Sequence, residues 1–228
     1  VTNEAARERM VREQIVGRGI KDARVLAALG KVPRERFVDD AVRDKAYEDR
    51  PLPIGHGQTI SQPYIVARMA ALAKIERADR VLEIGAGCGY QTAVLAELGG
   101  DIFAVEIVAP LARAAAQRLA ELGYSAERVR VEIGDGTHGW PEHAPYDAIV
   151  VSAGAPRVPA LLLAQLTPGG RLVIPVGPRE NQRLVLVTRR PDDPPAGASE
   201  FDTTYDIPVR FVDLTGRYGW GGPGAPSA

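Results

Sequence analysis

Three glycines and three carboxylates are spaced so that they can meet at one ligand. Gly85, Gly87 and Gly89 follow the apolar run Val81-Leu82-Glu83-Ile84 and precede a helical pattern. A buried strand that runs into glycines lets backbone approach a ligand closely, and the helix behind it offers free N–H groups at its first turn. Glu106 closes the next apolar run, and Asp135 lies in Gly134-Asp135-Gly136 after a third. A carboxylate at the second position suits the two hydroxyls of a ribose, and one at the third can accept from an exocyclic amino group such as that of adenine. Glu83 discriminates among nucleotides, because an acid just before the turn repels a pyrophosphate and favours a cationic or amine-bearing ligand. The glycine spacing is GxGxG, one residue short of the dinucleotide GxGxxG. S-adenosylmethionine has adenine, ribose, sulfonium and ammonium groups and no phosphate, so it fits this set better than NAD.

The elements that must hold these residues alternate. Strands are expected at Arg80 to Ile84, Asp101 to Glu106, Arg128 to Ile133, Tyr146 to Val151 and Arg171 to Val176. Helical patterns separate them: Gln91 to Leu98, a run through Leu111, Ala115 and Leu119, and Leu161 to Leu166. This order specifies an α/β fold with a doubly wound, mostly parallel Rossmann-like sheet, and its strand ends put the glycines and acids at one crevice. Beyond Val176, Gln182 to Arg189 and Glu200 to Leu214 have β pattern with no helix between them, so the last strands should be antiparallel. Ahead of the sheet, Asn3 to Arg18 and Asp22 to Leu29 read as a helical cap, the second with Asp22 as N-cap and Gly30 as its stop. Tyr47 to Pro63, rich in proline and glycine, reads as a long functional loop.

The chain is read as one domain: cap and loop over about 1–75, cofactor core over 76–190, closing strands over 191–220, and a mobile Gly/Pro/Ser tail at 221–228. Its 228 residues, 45% hydrophobic and 25% charged, are ordinary for a globular protein. A formal net charge of −1 argues against a nucleic-acid partner. No run approaches a membrane span, and Cys88 is the lone cysteine, which fits the cytoplasm. His56, His138 and His143 have no ligand spacing, so no metal is expected.

Several stretches resemble the protein-L-isoaspartate O-methyltransferases. They are Val32-Pro33-Arg34-Glu35-Arg36-Phe37-Val38, Ala46-Tyr47-Glu48-Asp49, Pro51-Leu52-Pro53-Ile54-Gly55, Gly57-Gln58-Thr59-Ile60-Ser61-Gln62-Pro63, the glycine turn, Gly134-Asp135-Gly136, and Gln165 through Gly177. The resemblance implies methyl transfer from S-adenosylmethionine to the α-carboxylate of isoaspartyl residues in damaged proteins; the chain is expected to act as a monomer. It also implies that Ser61 is the catalytic residue, that Thr59, Ile60 and Ser61 lie beside cofactor and substrate, and that Glu83, Glu106, Ile107, Asp135 and Gly136 surround the cofactor. Thr215 matches a carboxyl-terminal contact of the family, but Asp213 stands where the family has proline. No general base is needed: the acceptor carboxylate, with a pKa near ~3.5, is already ionised at pH 7.

Overall fold

The computed structural model describes residues 2–191 and 199–221. Most of the expected connector and all but the first residue of the expected tail lie outside them.

The amino-terminal cap begins with α1 (Asn3–Arg9), whose helical path continues as a π-helical turn through Met10–Ile15 and a 3-10 turn to Arg18. Gly19, at φ 90°, ends the run in the left-handed region, where glycine carries no Cβ penalty. Helix α2 (Ala23–Lys31) is capped by the Asp22 carboxylate, which accepts from the N–H groups of Arg24 and Val25. Gly30 does not stop it. The helix runs to Lys31 and breaks at Val32 because Pro33 pushes the preceding residue into the extended region.

The segment expected to be a plain loop contains a tight hairpin. β1 (Leu52–Pro53) pairs antiparallel with β2 (Thr59–Ile60), and the tip between them uses positive φ at Gly55, His56 and Gly57. Two-residue strands carry too few alternations to be seen in sequence. Helix α3 (Pro63–Ala73) follows directly.

Seven strands form the main sheet, in the order β5-β4-β3-β6-β7-β8-β9. They are β3 (Arg80–Ile84), β4 (Asp101–Glu106), β5 (Val129–Ile133), β6 (Tyr146–Val151), β7 (Leu166–Val176), β8 (Gln182–Arg189) and β9 (Phe201–Val209). The pairs from β5 across to β7 are parallel, and β8 and β9 add antiparallel. Helices α4 (Tyr90–Leu98), α5 (Ala109–Glu121) and α6 (Ala160–Ala164) supply crossovers. Leu166 belongs to β7 rather than to α6, and Thr167 to Gly170 bulge out of register before pairing resumes at Arg171. The strand order reverses between β3 and β6. In open α/β sheets that switch point, at the carboxyl ends of the strands, is where a ligand crevice opens. Helix α4 is buried on nearly every side, between the sheet and the amino-terminal cap, so the glycine turn is anchored to the closely packed core.

Candidate active site

The glycine turn leaves β3 with Gly85 at φ 82° and Gly87 at φ 55°. Each is required differently. A Cβ on Gly87 would stand 3.2 Å from Cδ1 of Ile54, which the β1–β2 hairpin lays over the turn. Glu106 then locks the loop: its carboxylate accepts from the N–H of Gly87 at 2.8 Å and from that of Val108 at 2.8 Å. Glu106 keeps lone pairs toward the crevice, which Gly85, Gly87, Glu106, Ile107 and Gly136 line together with Gln58 and Thr59. Gly136 is a close fit, since a Cβ there would meet Ile84 at 2.4 Å.

Glu83 lies beneath the turn and is 0% exposed. Its Oε2 accepts from the Thr92 hydroxyl at 2.5 Å, whereas Oε1 is buried with no well-aligned hydrogen bond, the Ser152 side chain being the polar group near the carboxylate. Burial, with a further push from Glu106, raises its pKa to about 8, against which the Thr92 bond works. The side chain faces a narrow cleft shared with Thr59, Ile60, Ser61, Gly85 and Gly87. An acid left proton-hungry and half-satisfied at the edge of such a cleft is suited to an ammonium or sulfonium group.

Thr59 lies where three hollows join: the crevice, this cleft, and an open groove of ≈ 720 Å³ between residues 51–65 and the Pro208 to Val212 segment. Ser61 faces both the cleft and the groove. Gln62, not Ser61, holds the N-cap position of α3, so the serine hydroxyl is not consumed by capping. None of the three histidines lines these hollows.

Two expected cofactor residues stand elsewhere. Gly89 is the N-cap of α4, and a Cβ there would press on Ala115 and Leu119 of α5, so its role is close helix packing. The Asp135 carboxylate is engaged by the N–H and hydroxyl of Thr137 and by the N–H of Arg217. It thereby fastens the segment after Leu214 over the crevice, whose wall includes Gly136 and not Asp135. Sequence reasoning missed Ser152, which ends β6 at the switch point and faces all three hollows. Its signal was available, as the residue directly after an apolar strand next to β3. Thr215 does line the crevice, and Asp213 pairs with Arg179 at 2.8 Å, an ion pair that holds the rim where proline was expected.

A separate hollow, of ≈ 660 Å³, opens at the opposite ends of the strands among Arg24, Lys31, Arg77 and Arg128. Arg24 and Arg128 bond carbonyls in the last turn of α4, which otherwise lack partners. It is a helix-capping cluster.

The sheet order and the acid-lined glycine turn define the class: a Rossmann-like, S-adenosylmethionine-dependent methyltransferase. Comparison with known proteins carries this further. The model of the family described as protein-L-isoaspartate(D-aspartate) O-methyltransferase (PCMT) matches residues 5–219. A protein-L-isoaspartate O-methyltransferase from Opitutus terrae is 57% identical over 215 residues, covering 94% of this chain and 88% of its own. A relative from Pelobacter propionicus, named protein-L-isoaspartate O-methyltransferase 2, is 55% identical, with 95% and 93% covered. A solved protein-L-isoaspartate O-methyltransferase superposes with a TM-score of 0.82 at 29% identity, over 93% of this chain and 67% of that one. A Plasmodium falciparum structure described as a beta-aspartate methyltransferase in complex with S-adenosyl-L-homocysteine has a TM-score of 0.75 at 23% identity, over 92% and 98%, a likeness of fold alone. The chain belongs to the protein-L-isoaspartate(D-aspartate) O-methyltransferase family.

Proposed function

We infer that the protein transfers a methyl group from S-adenosylmethionine to the α-carboxylate of L-isoaspartyl residues in damaged proteins and peptides. The ester then closes spontaneously to a succinimide, which hydrolyses in part to normal aspartate. The observation that carries this reading is the position of Ser61, an uncommitted hydroxyl on the wall shared by the cofactor cleft and the open groove, within a chain of this family.

The residues fit the cofactor. The buried Oε1 of Glu83, which lacks a well-aligned hydrogen bond, supports a cationic amino-acid end, and Glu106 with Ile107 and Gly136 supports a ribose and a flat base. When bound, the cofactor supplies an electrophilic methyl group on sulfur. The chain needs no general base, because the acceptor is ionised already, in keeping with a crevice that no histidine lines. Its work is alignment, which can contribute about 7–11 kcal/mol when the reacting atoms are held in line. Ser61 donates one hydrogen bond to the acceptor carboxylate and leaves the attacking oxygen a free lone pair. Ile60 of the hairpin and Val66 of α3 give the cleft apolar walls beside it. That matters because a cation and an anion react to neutral products, so water holds back the reactants more than the transition state.

We place this activity in the cytoplasm and assign it to a monomer acting on proteins rather than nucleic acid. The near-balanced charge and the single, buried thiol Cys88 support that setting, and no helix among the described residues is long and apolar enough to cross a membrane. The test is chemical: an isoaspartyl peptide incubated with the protein and S-adenosylmethionine yields a base-labile ester that releases methanol, followed by succinimide and aspartyl peptide. A peptide recovered unchanged contradicts the reading.

A further inference from the structure

Arg34 is a fully buried cation to which the reaction described above gives no part. It opens a short 3-10 turn, Arg34–Phe37, and is 0% exposed. Among the described residues no acid pairs with it: the groups that act on its charge are Tyr90, Cys88 and Tyr47, and the adjacent Glu35 is engaged by the Tyr47 hydroxyl. A buried guanidinium without a counter-ion is costly to fold around, and an apolar residue of equal volume commonly does as well or better for stability alone.

Its bonds show what it holds. Nε donates to the carbonyl of Ala46 at 2.7 Å, and Nη2 donates to the carbonyl of Ser61 at 2.7 Å. These two carbonyls are the two ends of the loop that carries the β1–β2 hairpin, so one planar fork closes the neck of that loop, as in a compact Ω-loop. The guanidinium carbon also stands 4.8 Å from the ring centroid of Tyr90, the first residue of α4 after the glycine turn. Phe37, three residues on in the same short turn, also meets that ring, edge-on at 5.5 Å. The serine backbone, the hairpin neck and the glycine turn are thus referred to one rigid group.

We propose that Arg34 is a positioning residue for methyl transfer: its guanidinium clips the neck of the 46–61 loop and so fixes Ser61 in relation to the glycine turn. It touches neither cofactor nor acceptor and acts through the Ser61 carbonyl. This rests on the reading of Ser61 as the group that holds the acceptor carboxylate. A shift of the serine by an ångström is enough to cost about 10²-fold in rate.

The test uses Arg34→Lys, which keeps the charge but replaces the planar fork and its two separate donor nitrogens with a single nitrogen, and Arg34→Met, which removes the charge and leaves an apolar side chain. Turnover on an isoaspartyl peptide, S-adenosylhomocysteine affinity and amide exchange are measured for both beside wild type and Ser61→Ala. The expected result is a kcat lower by about 10²-fold in the methionine variant and by about tenfold in the lysine variant. Peptide KM and homocysteine-ligand affinity should stay within about threefold, with faster exchange confined to residues 47–60. If the methionine chain does not fold, the lysine chain decides alone. A kcat within about twofold of wild type, or loss of ligand affinity in proportion to kcat, overturns the proposal in favour of a purely structural role. If Ser61→Ala itself keeps the wild-type rate, the reading of Ser61 falls first; if it loses rate and the Arg34 variants do not, only this inference falls.

Discussion

Replacing Glu83 by glutamine should stabilise the ligand-free protein while weakening its hold on the cofactor. The side chain is fully buried, and burial, assisted by Glu106 and opposed by the Thr92 bond, moves its pKa from 4.5 to about 8. A raised folded-state pKa means that the native chain keeps a proton which the unfolded chain has released. Stability from this group is therefore fully present below about pH 4.5, declines as pH rises, and levels off above about pH 8. At pH 7 the cost is about 3 kcal/mol, from about 2.5 units of separation at about 1.36 kcal/mol each. Glutamine imitates the protonated acid, can still accept from Thr92, and has no charge to lose. Urea unfolding of both ligand-free proteins at pH 5.5 and 7.5 should therefore show the stability gap widening by about 2.5 kcal/mol between the two conditions. A cation seated against Oε1 favours the ionised acid, so wild-type affinity for S-adenosylmethionine should rise with pH up to about 8 relative to that of the variant. The ligand's own titration cancels in that ratio. Parallel stability curves, or a constant affinity ratio across this range, would refute the account of Glu83 as a buried acid that ionises on binding.

Other perturbations have equally definite outcomes. Gly87→Ala must adopt φ 55° and press on Ile54, which costs about 1–2 kcal/mol in backbone strain alone; calorimetry should show cofactor affinity reduced by about tenfold or more. Asp135 has its pKa held below the usual carboxylate range, because the bonds from Arg217 and Thr137 outweigh burial, which acts the other way. The stability it contributes is present above the ordinary carboxylate pKa and is lost as pH falls through its lowered folded value. Asp135→Ala should accordingly speed amide exchange of residues 215–220 at neutral pH, and equal exchange in both chains would deny the tether. Arg179→Ala breaks the rim pair with Asp213, whose side chains are 40% and 31% exposed. Such a pair is worth about 0.2–1 kcal/mol, so a scanning experiment should register only a small loss in Tm.

The sheet was legible because its central parallel strands are buried on both faces and read as apolar runs, as in Ile102 to Val105 and Ala148 to Val151. Its antiparallel finish was legible because no helix pattern separates β8 from β9. The crevice was legible where its lining coincides with strand ends, at Gly85, Gly87 and Glu106. What was hidden were structural contacts that depend on distant partners. Asp135 bonds a backbone group 82 residues away, and Gly89 is small because α5 packs on it; neither fact has a local sequence signal. The depth of Glu83 was likewise hidden, since a strand-end acid looks the same whether solvated or buried. Arg34 falls in the same group: an arginine in Val-Pro-Arg-Glu gives no hint that it is fully enclosed and bonded to Ala46 and Ser61. Gly30 shows the converse error, a glycine taken for a stop where the following proline terminates the helix two residues before itself.

The central claim concerns the acceptor, and two synthetic peptides that differ only in one linkage test it most directly. Tritiated methyl transfer from S-adenosylmethionine should label the isoaspartyl peptide and leave its normal aspartyl twin unlabelled, because Ser61 and the groove must hold an α-carboxylate that only the isomerised residue leaves free. Equal labelling of both peptides, or labelling of neither, would contradict the account.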